Sequence, residues 1–329
     1  ERVVRFFGDR LEIPHRIMWC NGPSVKAVLE DLGEVGIDVV SFQGKGRDVW
    51  LALGVASIDS YAIILHDADI VNYTCDLPMK LAYPLVDPKL DYFFNKGYYA
   101  RIGGDRPKFY GRNTRLFVRP LLEALSTKMG CSSAFLQYIS SFKYPLSGEI
   151  ALTSDLARNI RIPTNWGLEV GTLYQVYRSA VNKRICQTDL GLFEHEHKEV
   201  GTDRSEGLLK MAGDILITLF EALLVEEQKL EISSEFLHAL RVMYRRKAQD
   251  WIRKYYADSV CNQLTYNRHE EELMVDAFEM VIIEAGEEYI KNPQSYHIPD
   301  WLRATSAVPR LRRRLIESVL EDERSVREG

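Results

Sequence analysis

An apolar run, Tyr61–Leu65 (YAIIL), leads straight into His66-Asp67-Ala68-Asp69. Two carboxylates one residue apart at a strand end can both approach a divalent cation. An all-oxygen donor pair with open positions suits Mg²⁺ or Mn²⁺ bridging a diphosphate. The tripeptide alone is common in loops and helix caps; its place after a buried strand favours the metal. Gly44-Lys45-Gly46 also follows an apolar run and precedes a helical pattern. Glycines there let the backbone approach a ligand, and a helix N-terminus favours negative charge. The GxxxxGK[ST] spacing of a P-loop is absent, and a plain glycine-flanked turn explains the segment equally well.

Three further groups qualify. Glu194-His195-Glu196-His197 follows the expected strand Ile185–Leu190. In extended chain, His195 and His197 share one face, where they either complete a metal site or form a solvated polar edge. Gly111-Arg112-Asn113-Thr114, with Arg115 and Arg119 nearby, combines guanidinium, hydroxyl and helix N-terminal amides suited to a phosphate or carboxylate. Asn/Thr capping with surface arginines is the competing account. Pro145-Leu146-Ser147-Gly148-Glu149 and Asn165–Gly171 set Glu149 and Glu169 beside glycines, an arrangement for sugar hydroxyls or for capping.

These segments need elements to hold them. His15–Cys20, Ile37–Phe42 and Tyr61–Leu65 alternate with helical patterns at Ser24–Leu32 and Arg47–Ala56. This predicts an α/β fold with a mostly parallel sheet, whose ligands bind at the carboxyl ends of the strands. The chain opens on a charged helical segment, Glu1–Arg10, with no strand before it. The sheet is therefore expected to lack an element preceding residue 1. From about Arg204 the spacing turns helical: Leu208, Ala212, Ile215, Leu219 and Ala222, then Phe236, Leu240, Tyr244, Ala248, Trp251 and Tyr255. Asn267 with Glu270 reads as a capping box opening a third helix through Glu288, and Pro299–Asp322 as a fourth. The arginines at 310 and 312–314 are balanced by Glu317, Glu321, Asp322 and Glu323, the pattern of a solvated helix face.

Composition narrows the class. With 329 residues and 46% hydrophobic content the chain can bury a sizeable core, which excludes intrinsic disorder. A net charge of −5, from 42 Lys+Arg against 47 Asp+Glu, provides no general field for nucleic acid. Five scattered cysteines (20, 75, 131, 186, 261) without a CxxC pair fit a reducing cytoplasm and suggest neither disulfide framework nor zinc site. The most apolar stretch, Ile215–Val225, contains Glu221 and falls far short of the roughly 20 residues that span a bilayer.

Taken in order, GKGRDVW, HDADI, GRNTRLFVRPLL, PLSGE, NWGLEVGTLY and DLGLFEH, spanning about residues 44–197, resemble a retaining glycosyltransferase of the GT-A fold. The resemblance is to the glucosyl-3-phosphoglycerate synthase family, with the mannosyl-3-phosphoglycerate and mannosylglycerate synthases as relatives. It implies a GT-A catalytic domain over residues 1–203, and a helical region over 204–329 that covers the acceptor side and offers a surface for a homodimer. It also implies that Asp67, Asp69 and His195 hold Mg²⁺ or Mn²⁺. Lys45, Asp67, Ala68, Asp69 and Glu169 would bind the nucleotide-sugar donor, and Arg112, Asn113, Thr114 and His197 the small anionic acceptor. Asp69, Leu146, Gly148 and Glu169 would mark the reaction centre, the Leu146 carbonyl lying near the anomeric carbon. Position 197 is His where the family commonly has Asn. The implied reaction moves a hexose, UDP-glucose being the favoured donor, to 3-phosphoglycerate, in compatible-solute or polysaccharide-precursor synthesis. GDP-mannose as donor, glycerate as acceptor, a sugar nucleotidyltransferase and a non-catalytic nucleotide-sugar sensor are the alternatives.

Overall fold

The computed structural model describes residues 2–103, 107–194, 207–293 and 297–328. In chain order its elements begin with α1 (Arg2–Arg10), α2 (Pro23–Glu34), α3 (Lys45–Ala56), β1 (Ala62–Leu65), α4 (Asp76–Val86) and β2 (Phe94–Ala100). There follow β3 (Ile102–Gly103), β4 (Lys108–Phe109), α5 (Arg119–Lys128), α6 (Ala134–Ser140), β5 (Ile150–Thr153), α7 (Ser154–Asn159) and β6 (Ile162–Pro163). The remainder is α8 (Leu168–Ser179), β7 (Ile185–Leu192), α9 (Leu208–Glu226), α10 (Ser234–Cys261), α11 (Arg268–Lys291), β8 (His297–Ile298), α12 (Trp301–Ala307) and α13 (Leu311–Glu328). A π-helical turn, Asn113–Val118, precedes α5.

The chain forms two compact units, one of residues 1–63, 153–165 and 296–329, the other of residues 64–152 and 166–295. The class is α/β. The main sheet has the order β1-β5-β2-β7, and the division between units falls inside β1 and β5. β2 runs parallel to β7 but antiparallel to β5, so the sheet is mixed where repeated βα units predict a mostly parallel one. The chain enters β5 from the loop 141–149 in the opposite sense to β2, and that loop is where the site is built. In the second unit, α9, α10 and α11 pack on one another, with α5 against α10. Asn267 caps α11 as its spacing predicts, its side chain accepting from the Glu270 amide and donating to the Glu270 carboxylate.

Two other expectations change. His15–Cys20 and Ile37–Phe42 carry no strand ladder among the described residues. Ile37 and Val39 are buried all the same. Apolar alternation states which side of a segment is covered, not that a partner strand lies beside it. The predicted helix over 299–322 is two helices, α12 and α13. Pro309 pushes Val308 into an extended conformation (φ −119°, ψ 104°), and Arg310 turns the chain at φ +60°.

The first unit is closed by two contacts distant in sequence. Trp50 and Trp301 stack with ring centroids 3.9 Å apart, each indole N–H donating to a backbone carbonyl, of Pro299 and Trp50 respectively. Gly54 permits this, because a Cβ there would overlap the Trp301 ring. Helix α2 starts at Gly22, which has no side chain to cap it. Asp322 of α13, 2% exposed, supplies the cap by accepting from the amides of Ser24 (3.0 Å) and Val25 (3.1 Å). A carboxylate there also complements the helix dipole. Replacing Asp322 with Ala should cost about 1–2 kcal/mol of stability and Asp322→Asn less, measured by urea unfolding.

Candidate active site

Asp67 and Asp69 leave the end of β1, Asp67 half-buried and Asp69 exposed. Facing Asp67 is Gly148: a Cβ on that glycine would lie 2.5 Å from Asp67 Oδ2. The carboxylate therefore occupies space that any other residue at 148 would fill, which brings HDAD and PLSGE together as one site. Along the second segment burial alternates, with Leu146 and Gly148 partly exposed and Ser147 and Glu149 fully buried. This period of two turns one pair toward the site and the other into the protein.

The inward pair is tied to polar groups. The Ser147 hydroxyl donates to Glu149 Oε2 (3.2 Å) and accepts from the Glu149 amide (3.2 Å). Glu149 Oε1 accepts from the Asp67 amide at 3.4 Å. Tyr99 lies close to the Glu149 carboxylate, and burial together with that charge raises the tyrosine's own hydroxyl above its ordinary range. Burial first, and the nearby charge of Asp67 second, push the Glu149 carboxyl above the usual carboxylate range. Lys96, 1% exposed in the middle of β2, donates from Nζ to the Ser147 carbonyl at 2.6 Å. His66 is held below its ordinary range by desolvation, and neither of its ring nitrogens has a hydrogen-bond partner among the described residues.

Lys96, Tyr99 and Ser147 are not among the residues singled out from sequence. A lysine inside an aromatic strand, FFNKGYYA, is the signal that could have found the first. Glu149, paired with Glu169 as a candidate for sugar hydroxyls or for capping, turns its carboxylate inward to Ser147 and the Asp67 amide. Glu169 lies in the first turn of α8, half-buried. Lys45 begins α3 in the first unit, behind Gly44 at φ +127°. Gly46 lets this turn pack, since a Cβ would overlap the Pro163 carbonyl. His195 and His197 lie outside the described residues. Among the described residues no group of three or more His, Cys, Asp or Glu is arranged to hold a metal. Asp67 and Asp69 carry carboxylate oxygens, the donor type that Mg²⁺ and Mn²⁺ accept.

The predicted anion pocket is more deeply built than its sequence suggests. Arg112 immediately precedes the π-helical turn, a feature often found at functional sites. Its Nε meets Glu271 at 3.0 Å and its Nη2 meets Glu270 at 3.2 Å. Asn113 and Thr114 are buried, 4% and 2% exposed, and the Asn113 amide donates to the Leu208 carbonyl. Arg115 is buried with Glu271, at 2.7 Å and 3.3 Å, and its guanidinium lies 4.8 Å from the centre of the Tyr255 ring. It also donates to the Tyr110 carbonyl. Glu271 thus joins two arginines, one buried and one reaching the surface. Removing it with Glu271→Ala should destabilise the protein by about 3–5 kcal/mol, because the Arg115 charge stays buried without its carboxylate. Glu271→Gln should cost less; thermal or urea unfolding measures both.

No family model matches the chain. Relatives do. Glucosyl-3-phosphoglycerate synthase of Methanococcoides burtonii is 52% identical over 320 residues, covering 97% of this chain and 78% of that protein. The synthase of Persephonella marina is 43% identical over 311 residues, 93% of this chain and 75% of its own length. Among solved structures, glucosyl-3-phosphoglycerate synthase of Mycobacterium tuberculosis in complex with Mn²⁺, UDP-Glc and phosphoglyceric acid is 26% identical over 59% of each chain, with a TM-score of 0.44. Identity at this level along nearly the whole chain, with HDAD and PLSGE meeting at one place, makes this protein a member of the glucosyl-3-phosphoglycerate synthase family.

Proposed function

We propose that this chain transfers glucose from UDP-glucose to 3-phosphoglycerate with retention of anomeric configuration. Asp67, Asp69 and His195 would hold the divalent cation, Mg²⁺ or Mn²⁺. The observation that carries the reading, in a chain of this family, is the contact of the Asp67 carboxylate with Gly148. It puts Asp67, the acid that would serve the donor diphosphate, beside the Leu146–Gly148 backbone, where the reacting sugar would lie. When bound, the cation would neutralise charge on the departing nucleoside diphosphate.

The chain's own residues would do the rest. Lys45 and Ala68 would contact the donor, and Glu169 the sugar hydroxyls. Arg112, Asn113, Thr114 and His197 would receive the anionic acceptor. An incoming phosphate or carboxylate would take the place of the exposed Glu270 carboxylate on Arg112, an exchange of one anion for another at the same guanidinium. The Arg112–Glu270 pair also supports an acceptor-side role for the helices after residue 204. In the reaction, the bond from the anomeric carbon to the diphosphate oxygen breaks. The acceptor oxygen bonds to the same face, and its proton passes to the leaving phosphate. No protein nucleophile is needed; orientation and charge stabilisation supply the rate.

We place this reaction in the cytoplasm, carried out by a homodimer. All five cysteines are free, as a reducing compartment allows, and no described helix is long and apolar enough to cross a membrane.

The test is product release with UDP-glucose or GDP-mannose, each with 3-phosphoglycerate or D-glycerate. UDP should appear only with UDP-glucose, 3-phosphoglycerate and Mg²⁺ or Mn²⁺, and a chelator should abolish it. Release from GDP-mannose would reassign the donor, pyrophosphate would indicate nucleotidyl transfer, and an inverted product would exclude front-side attack. Gly148→Ala should keep the fold by circular dichroism and lose activity by about 100-fold or more, since the new methyl displaces Asp67.

A further inference from the structure

Lys96 and Glu149 are charged side chains with 1% and 0% of their surface exposed. Burying such groups opposes folding, and apolar side chains of similar volume often serve stability as well or better. Their bonds nevertheless converge on the two short segments that carry the site. Lys96 Nζ holds the Ser147 carbonyl at 2.6 Å. Glu149 holds the Asp67 amide and the Ser147 hydroxyl. The sheet makes this arrangement available: in the antiparallel β2–β5 register Lys96 stands opposite Ile150, next in sequence to Glu149. Gly97 lets the strands close here, because a Cβ would lie 2.6 Å from Leu190 Cδ1 and 3.1 Å from the Glu149 carbonyl. Between the two held segments lies the closest approach of the site, Gly148 against Asp67.

We propose that Lys96 and Glu149 are positioning residues for glucosyl transfer, fixing the Leu146–Gly148 backbone and the Asp67 carboxylate at their working separation. The two do so from opposite sides of one contact. Lys96 sets the loop by its carbonyl, and Glu149 sets the aspartate by its amide. Neither touches substrate. The inference rests on the functional reading above, in which Asp67 serves the donor diphosphate.

The test compares Lys96→Met, Glu149→Leu, Glu149→Gln and Ser147→Ala with the unaltered full chain. Thermal midpoint, kcat and KM with UDP-glucose and 3-phosphoglycerate, and calorimetric Kd of UDP with Mn²⁺ are measured for each. Lys96→Met should lower kcat by about tenfold or more with acceptor KM within about threefold. Glu149→Leu should do the same and also weaken UDP binding by about tenfold, while Glu149→Gln, which keeps an oxygen for the Asp67 amide, recovers most of both. These losses should be present at temperatures where every variant is fully folded, and should not scale with the thermal midpoint. Folded Lys96→Met and Glu149→Leu with unchanged kcat, or losses in all variants that simply follow the thermal midpoint, would overturn the proposal. Should the larger replacements fail to fold, Ser147→Ala and Glu149→Gln decide it. Ser147→Ala is expected to lower kcat about threefold more than Glu149→Gln does, and equality with the unaltered chain overturns the proposal. If the unaltered chain shows no turnover, the functional reading fails, and UDP affinity alone then decides positioning. Equal Kd in the unaltered chain and Glu149→Leu, or no UDP binding at all, counts against it.

Discussion

The approach of the Asp67 carboxylate to a glycine of the β5 entry loop is the constraint from which the rest of the site follows. The space beside this carboxylate is the space a side chain at position 148 would fill, and position 148 has no Cβ. Its backbone must still be held, and hydrogen bonds from buried neighbours are the means available in a loop without ladder partners. Glu149 and Ser147 satisfy each other while each also reaches a segment outside the loop. The mixed sheet is part of the same solution. Only an antiparallel β5 delivers residues 146–149 to the place where β2 carries Lys96.

A second cluster, around Arg115, works differently. Here a buried guanidinium is matched by Glu271 and by the Tyr110 carbonyl, and lies near an aromatic ring. The result ties the π-helical turn to α11 across more than 150 residues of sequence. Arg112 shares Glu271 Oε1 with Arg115 and also meets the exposed Glu270. One carboxylate therefore serves both the fold, through Arg115, and the orientation of Arg112.

Much of this was legible in the residues. The capping box at Asn267, the helices α2 and α3, the strand before HDAD and the grouping of HDAD with PLSGE all follow from local spacing or from the family resemblance. What stayed hidden depends on partners distant in sequence. Nothing near Glu149 states that its carboxylate turns inward to meet an amide at position 67. Nothing near Arg112 announces two acids in α11. Ile37–Phe42 has strand-like alternation and buried residues, yet it bears no ladder, because pairing is decided by the neighbour and not by the segment.

The cap that α13 provides for α2 concerns the order in which the protein can assemble. Asp322 and the Ser24 amide are 298 residues apart. The second unit, residues 64–152 and 166–295, is complete before residue 322 has been synthesised. On a ribosome, then, α2 emerges before the second unit and is capped only after it, its apolar face held in waiting while the α9–α11 helices fold behind it. For this chain the segment exposed longest to aggregation or chaperone capture is α2, although the residue that ends that interval lies 298 positions further on.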